Sequence, residues 1–478
     1  MKQPKLYQLL SSFSKEELRA FSLFLQSPYF TKSEILPSLF DILKKAHPDF
    51  NAAKLRKEKI YQKLNLATPF SEKFINDRFS DLSKLAEEFM AIHLVRNDKD
   101  LKKQAYRKSL NRHHLDTFFY KETQKAITTL KTKKLPGWKQ SLNIFSLEHE
   151  LFIHPQTNKW KTTTDETIKM IDHLDETYII LKLRYGLHHK TRGTIFAREE
   201  NSTFLKEILA YAQNSSHPVI KLYTLLLATF EERNLEKKWK IAHDFYLKKC
   251  SLLPAEDQYA GLLGLINRGY RIALNGQPAF HANNLDLYKF GLTKKVLLPN
   301  GCLSEQTFKN IVLLGSVTKQ FDWTKRFIKK YQSYLCPGHH TNIVYLSQAY
   351  LAFYSKDFDL CMDWLDKSER MDLRDKLNFK SLELRCWYEQ FAAKNKDKEV
   401  LFAIINKYEQ FLQRKKSNFS PNTTKAYQNF VYLVKRMAQL KNSAISNRQT
   451  EKKKIQKEFP KRKLCMSMEW LEEKLAEI

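Results

Sequence analysis

Two stretches of this chain, Phe308 to Leu335 and Asn342 to Asp372, carry one pattern twice: an amphipathic helix, a short polar break, a Phe-Asp pair and a second amphipathic helix. The pairs Phe321-Asp322 and Phe358-Asp359 stand 37 residues apart. Spacings of that size belong to helical repeats, because one helix pair cannot bury its apolar face alone and must stack on a neighbour. In the first unit Phe308, Ile311, Val312 and Gly315 share one helix face, and Thr324, Phe327, Ile328, Tyr331 and Leu335 follow on the partner. The second unit repeats this with Leu346, Ala349, Tyr350 and Phe353, then Cys361, Trp364, Leu365 and Ser368. A looser third pair carries Leu384, Trp387, Tyr388 and Phe391, then Leu401, Ile404, Ile405, Tyr408 and Leu412. Small side chains at Gly315, Ala349 and Cys361 let neighbouring helices approach closely.

The rest of the chain agrees with an all-α fold. Among 478 residues only 11 are Gly and 14 are Pro, so turn punctuators are scarce. Valine is also rare, which disfavours strands. Five segments are expected: a compact helical N-terminal domain over 1–95, a basic helical connector over 96–140, a helical middle region over 141–300, the repeats over 301–440, and a basic segment with a capping helix over 441–478. Ser14 with Glu17 predicts a capping box, and Ser71 predicts the cap of a long helix. The six cysteines show no CxxC spacing and fall in apolar helical patterns, as buried small side chains of a reducing compartment would. Met1 to Phe13 lacks the apolar core of a signal peptide, and no run reaches the ~20 apolar residues a membrane span needs. A cytoplasmic protein, with no membrane partner, is the expectation.

The net charge of +30 is unevenly placed. Lys102 to Lys139 has 11 basic against two acidic residues, and Lys441 to Lys463 has nine against two. Such concentrations attract polyanions, since each phosphate contact releases condensed counterions. Lys102, Lys103, Arg107, Arg112, Lys452, Lys453, Lys454, Lys461 and Arg462 are therefore candidate phosphate contacts. The alternative for both segments is a solvated, self-repelling surface.

The stretch Tyr345-x3-Ala349-x8-Phe358-x2-Cys361-x3-Leu365 is similar to the tetratricopeptide (TPR) pattern, with large and small residues in the expected order. It lacks Leu before Ala349 and has Ser368 where Ala is usual. More broadly the chain resembles an uncharacterised bacterial family of long all-helical proteins with degenerate TPR-like repeats. That likeness rests on Phe24-Leu25-Gln26-Ser27-Pro28-Tyr29-Phe30, Lys182-Leu183-Arg184-Tyr185, Asn267-x3-Arg271-x3-Asn275-Gly276, Phe308-Lys309-Asn310-Ile311-Val312 and Phe321-Asp322-Trp323. It implies an architecture, a helical domain followed by a TPR-like α-solenoid, and carries no known activity. His47-Pro48-Asp49 resembles the HPD loop of J-domain co-chaperones, but the Tyr-x2-Leu-Gly entry is missing and Phe50 replaces the usual Lys, so a simple turn is expected.

Chemistry is otherwise sparse. Nucleophile elbow, phosphate-binding Gly loop, HExxH and dinucleotide fingerprint are all lacking. The pairs His113-His114, His188-His189 and His339-His340, with Cys336 beside the last, lack a second pair at zinc spacing, and adjacent helical histidines diverge. Neither metal nor cofactor is expected. Asp172, Asp175 and Glu176 near Lys182 and Arg184 read as an ion-paired surface. Arg268, Arg271 and Asn275 can share one helix face and are the candidate partner-binding residues, where Arg forks would take an acidic segment. The expected function is a non-enzymatic scaffold holding a protein or peptide in its repeats. The alternative is a nucleic-acid-associated protein using segments 102–139 and 441–463.

Overall fold

The computed structural model describes residues 4–50, 55–66, 68–132, 137–160, 166–196, 203–231, 233–274, 276–335, 340–368, 373–394, 398–441, 445–462 and 464–478. Among them every regular element is helical, and the only β pairing is an isolated bridge between Leu303 and Leu335. The all-α class is therefore observed. The chain divides into two compact units, Met1–Lys131 with Leu147–Thr162, and Thr132–Ser146 with Thr163–Ile478.

In the first unit α1 (Lys5–Ser11), α2 (Lys15–Gln26), α3 (Ile35–Lys44), α4 (Lys57–Lys63) and α5 (Glu72–Asn97) enclose an aromatic core. Phe21 sits at its centre, 4.9 Å from the Phe40 ring and 5.1 Å from that of Phe89. The Ser14–Glu17 box opens α2 as expected: Glu17 N–H donates to the Ser14 hydroxyl at 3.1 Å, and Ser14 N–H to the Glu17 carboxylate at 2.7 Å. Ser71 caps α5 by accepting from Phe74 N–H. The His47-Pro48-Asp49 turn is tied inward, with His47 Nε2 3.0 Å from the Phe13 carbonyl oxygen. Two further helices, α6 (Lys99–Arg112) and α7 (Asp116–Lys131), form a hairpin that continues from α5. Residues 96–131 of the expected connector thus pack with the N-terminal helices.

Helices α8 (Trp138–Phe152) and α9 (Thr157–Trp160) follow, then α10 (Glu166–Phe196), α11 (Leu205–Ala212), α12 (Pro218–Ala228), α13 (Leu235–Lys249), α14 (Ala255–Leu274) and α15 (Phe280–Thr293). The repeats occupy α16 (Glu305–Val317), α17 (Phe321–Tyr331), α18 (His340–Tyr354), α19 (Phe358–Asp366), α20 (Leu373–Lys394), α21 (Lys398–Arg414) and α22 (Pro421–Lys441). From α12 to α22 each helix packs on its successor in the chain. Two apolar clusters run through this unit, one spanning Ile179 to Leu351 and the other Leu346 to Leu475.

The backbone turns before the two Phe-Asp pairs match. At the end of α16, Lys319 takes a left-handed backbone (φ 58), and Gln320 N–H reaches back to the Gly315 carbonyl at 2.8 Å. At the end of α18, Lys356 does the same (φ 64), and Asp357 N–H reaches the Ala352 carbonyl at 2.9 Å. Both are Schellman turns, which satisfy the last helical carbonyls and set the exit direction. Gly315 is required for close approach: a Cβ there would lie 2.2 Å from Thr324 Oγ1. The same turn joins α6 to α7, with His114 left-handed (φ 57) and Leu115 N–H on the Leu110 carbonyl at 3.0 Å. His113-His114 is therefore a helix exit.

The chain closes with α23 (Ile445–Glu458), a short 3-10 turn (Pro460–Arg462) and α24 (Met468–Glu477). Helix α24 docks on α22 and fastens to α20, where Trp470 Nε1–H donates to Glu389 at 2.8 Å and Lys474 pairs with the same carboxylate at 3.0 Å.

Candidate functional site

A concavity lies wholly within the second unit. It is a cavity of about 790 Å³ walled by α10, α14 and the connection from α15 to α16. Helix α10 contributes Arg184, Leu187, His188 and Thr191, which fall on one face at i, i+3, i+4 and i+7. Helix α14 contributes Glu256, Tyr259, Ala260, Leu263, Gly264 and Asn267 by the same periodicity. Lys294, Lys295, Val296, Leu298, Pro299 and Asn300 close the third side. Left-handed backbone at Lys295 (φ 58) and Asn300 (φ 55) folds that connection against the helices.

Around Glu256, charges are organised in depth. Glu256 accepts from Trp138 Nε1–H at 2.7 Å and pairs with Arg184 at 3.2 Å and Lys139 at 3.4 Å. Burial pushes its carboxyl up, but Arg184, then Lys139 and the Trp138 N–H, outweigh this and hold it below its ordinary value. Beneath it Asp257 is fully buried; it accepts from Tyr223 O–H at 2.5 Å, and its Oδ2 has no hydrogen-bond partner. Burial raises its pKa despite the Tyr223 hydroxyl and the Arg184 guanidinium 4.0 Å away. Burial likewise drives the Tyr223 phenol far above its ordinary value, with Asp257 adding to the effect. One carboxylate is thus stabilised as an anion while its chain neighbour favours its proton.

Lys294 and Lys295 are exposed and form no ion pair with a described carboxylate. The cavity therefore has a largely apolar lining, an Arg–Glu pair and two lysines without counterions. Such a lining suits an acidic group on an apolar stem.

No protein family, curated protein or solved structure matches this chain. The functional argument rests on its residues.

Of the predicted partner-binding residues, Arg268 is only 6% exposed; its guanidinium donates to the Thr229 carbonyl at 2.6 Å and lies 4.2 Å over the Phe230 ring. It ties α14 to the end of α12. Arg271 is exposed on α14, and Asn275 lies outside the described residues. It is Asn267, one position before Arg268, that faces the cavity. Arg184 pairs with Glu256 rather than with the acids of its own helix, and Glu176 instead lies 2.8 Å from His217 Nε2. His217 Nδ1 accepts from Ile220 N–H at 3.4 Å and so caps α12.

The predicted phosphate contacts separate into two groups. Lys102, Lys103 and Arg112 are exposed on α6, with Arg107 half-buried among them. On the C-terminal segment Lys453 and Lys461 are exposed, but Lys454 pairs with Glu451 at 2.6 Å and Lys452 is half-buried, 3.3 Å from the Ala476 carbonyl. Arg462 donates to Asn429 at 2.7 Å and stacks 3.9 Å over Tyr432. Cys336 and His339 lie outside the described residues, and among those described no cluster of three or more His, Cys, Asp or Glu is gathered for a metal. Nor is any helix among them long and apolar enough to cross a membrane.

Lys294, Lys295 and the Glu256-Asp257 pair are site residues that sequence reasoning did not select. The Lys-Lys doublet just before Val296-Leu297-Leu298 and the Pro299-Asn300-Gly301 turn was the available signal. Two acids in the first turn of a helix ordinarily mean dipole compensation at a surface, and this hid Asp257.

Proposed function

We propose that this protein is a non-enzymatic scaffold whose TPR-like helix pairs stack as an α-solenoid and hold a protein or peptide partner. The partner segment would be acidic with an apolar stem. The observation that carries this reading is the cavity of about 790 Å³, largely apolar in its lining and carrying Lys294 and Lys295 without counterions. The matched Schellman turns after α16 and α18 support the repeat. The titratable groups favour binding over catalysis: Glu256 is saturated by Trp138, Lys139 and Arg184, and Asp257 lies beneath the cavity wall. Peptide recognition in such folds uses pockets for individual side chains, and charge at the rim sets specificity and on-rate.

Selection from a random peptide library on the full-length chain tests this. A consensus containing Asp or Glu beside an aliphatic or aromatic residue is expected, with binding lost in the Lys294→Glu, Lys295→Glu double variant. An absent consensus, or one indifferent to that variant, overturns the reading.

A further inference from the structure

A second surface, in the first unit, points to a different partner. Helix α6 buries one side chain, Leu110, out of 14 residues. Lys99, Lys102, Lys103, Lys108 and Arg112 are exposed along it, and none pairs with a described carboxylate. Lys99, Lys102 and Lys103 share one face with Tyr106, which is 52% exposed, at i, i+3, i+4 and i+7. Lys108 and Arg112 share a face four residues apart on the other side. The acids near them, Asp98 and Asp100, stand at the N-terminal end, where Asp98 caps the helix by accepting from Asp100 and Leu101 N–H. A 14-residue helix with one buried side chain and with lysines on two flanks that carry no ion pair is complementary to a polyanion that reaches both flanks.

We propose that α6 is a docking helix for double-stranded DNA, lying in the major groove with its lysines on the phosphates of both walls. Shape decides among polyanions. An α-helix with side chains is ~10–12 Å across, and the B-DNA major groove is ~12 Å wide. The major groove of A-form RNA is too narrow and deep for side chains to enter. Single-strand binders use concave channels lined with stacking rings, whereas α6 is an exposed helix with one exposed aromatic. An anionic membrane would need a broad apolar face for insertion, and α6 has only Leu101, Ala105 and Tyr106 besides the buried Leu110. Contacts of this kind are to phosphate, so the binding is independent of sequence.

The test is fluorescence anisotropy of the full-length chain with a labelled duplex of about 20 base pairs. Affinity should fall steeply between about 50 and 200 mM salt. The variant Lys102→Gln, Lys103→Gln, Lys108→Gln, Arg112→Gln should bind at least about tenfold more weakly, with its log–log salt slope reduced by about three to four. The matching Lys→Arg variant, which keeps the charge, should retain wild-type binding, and Lys452→Gln, Lys453→Gln, Lys454→Gln should leave both affinity and slope unchanged. Circular dichroism checks that each variant remains folded. Absent duplex binding at low salt, an unchanged slope in the α6 variant, or tighter binding to single strands, double-stranded RNA or phosphatidylserine vesicles would each overturn the proposal.

Discussion

Helix α6 and the segment formed by α23 and its 3-10 turn are close in composition, yet the fold engages more of the cations around the second. Along α6 the cations other than the half-buried Arg107 stand in solvent, and Leu110 is the one buried side chain. Along the C-terminal segment Arg436 and Lys454 share Glu451, Lys441 and Arg448 donate to backbone carbonyls, and Arg462 is pinned between Asn429 and Tyr432. Ile455 and Phe459 bury the underside. Local charge density therefore says little about availability. What decides is whether acceptors and rings from other helices reach the cations first.

Substitutions can break this comparison or sharpen it. The largest effect is expected where a cation closes the C-terminal cap. Lys474, which pairs with Glu389 and Glu477 and is 7% exposed, should cost about 3 kcal/mol when changed to Ala, because Glu389 is left enclosed beside Trp470. Urea denaturation measures this, and a loss no greater than that of an exposed lysine would contradict the assignment. Next, Arg462→Ala should cost about 1–2 kcal/mol through the lost Asn429 hydrogen bond and the Tyr432 stack. Arg112→Ala on α6 should melt like the wild type. Equal losses at the two arginines would remove the contrast.

The smallest effect concerns the enclosed carboxyl beneath the cavity. The folded chain holds the Asp257 proton more tightly than the unfolded chain does. The stability this group contributes is complete below the ordinary aspartate value of about 3.9 and declines as pH rises through the raised folded value. Asp257→Asn cannot titrate and should not show that decline, so its melting temperature should gain on the wild type as pH rises from about 4 towards neutrality. A difference independent of pH would mean that Asp257 is ionised in the fold.

The parts of this structure legible in the sequence are those fixed by local chemistry. Ser14 and Glu17 lie three residues apart and cap each other; the Phe-Asp pairs announce helix starts; Gly315 announces close approach. The cavity was not legible, because Arg184, Glu256 and Lys294 meet only after helices far apart in sequence pack together. Arg268 misled for the same reason. Its place on the α14 wheel fits a surface row, but the acceptor it reaches is a carbonyl 39 residues earlier. Composition located two basic segments and was blind to how many cations in each the fold would engage.

The left-handed turns at Lys319 and Lys356 bear on how a chain like this can change length. Each turn fixes the angular phase of the helix that follows, and one added residue would advance that phase by about 100°, carrying Phe327 or Leu365 off the buried side. Single insertions in these turns should be purged, while gain or loss of a whole 37-residue unit preserves every phase. Descendants of this gene would then differ in the number of helix pairs more readily than in the length of any one.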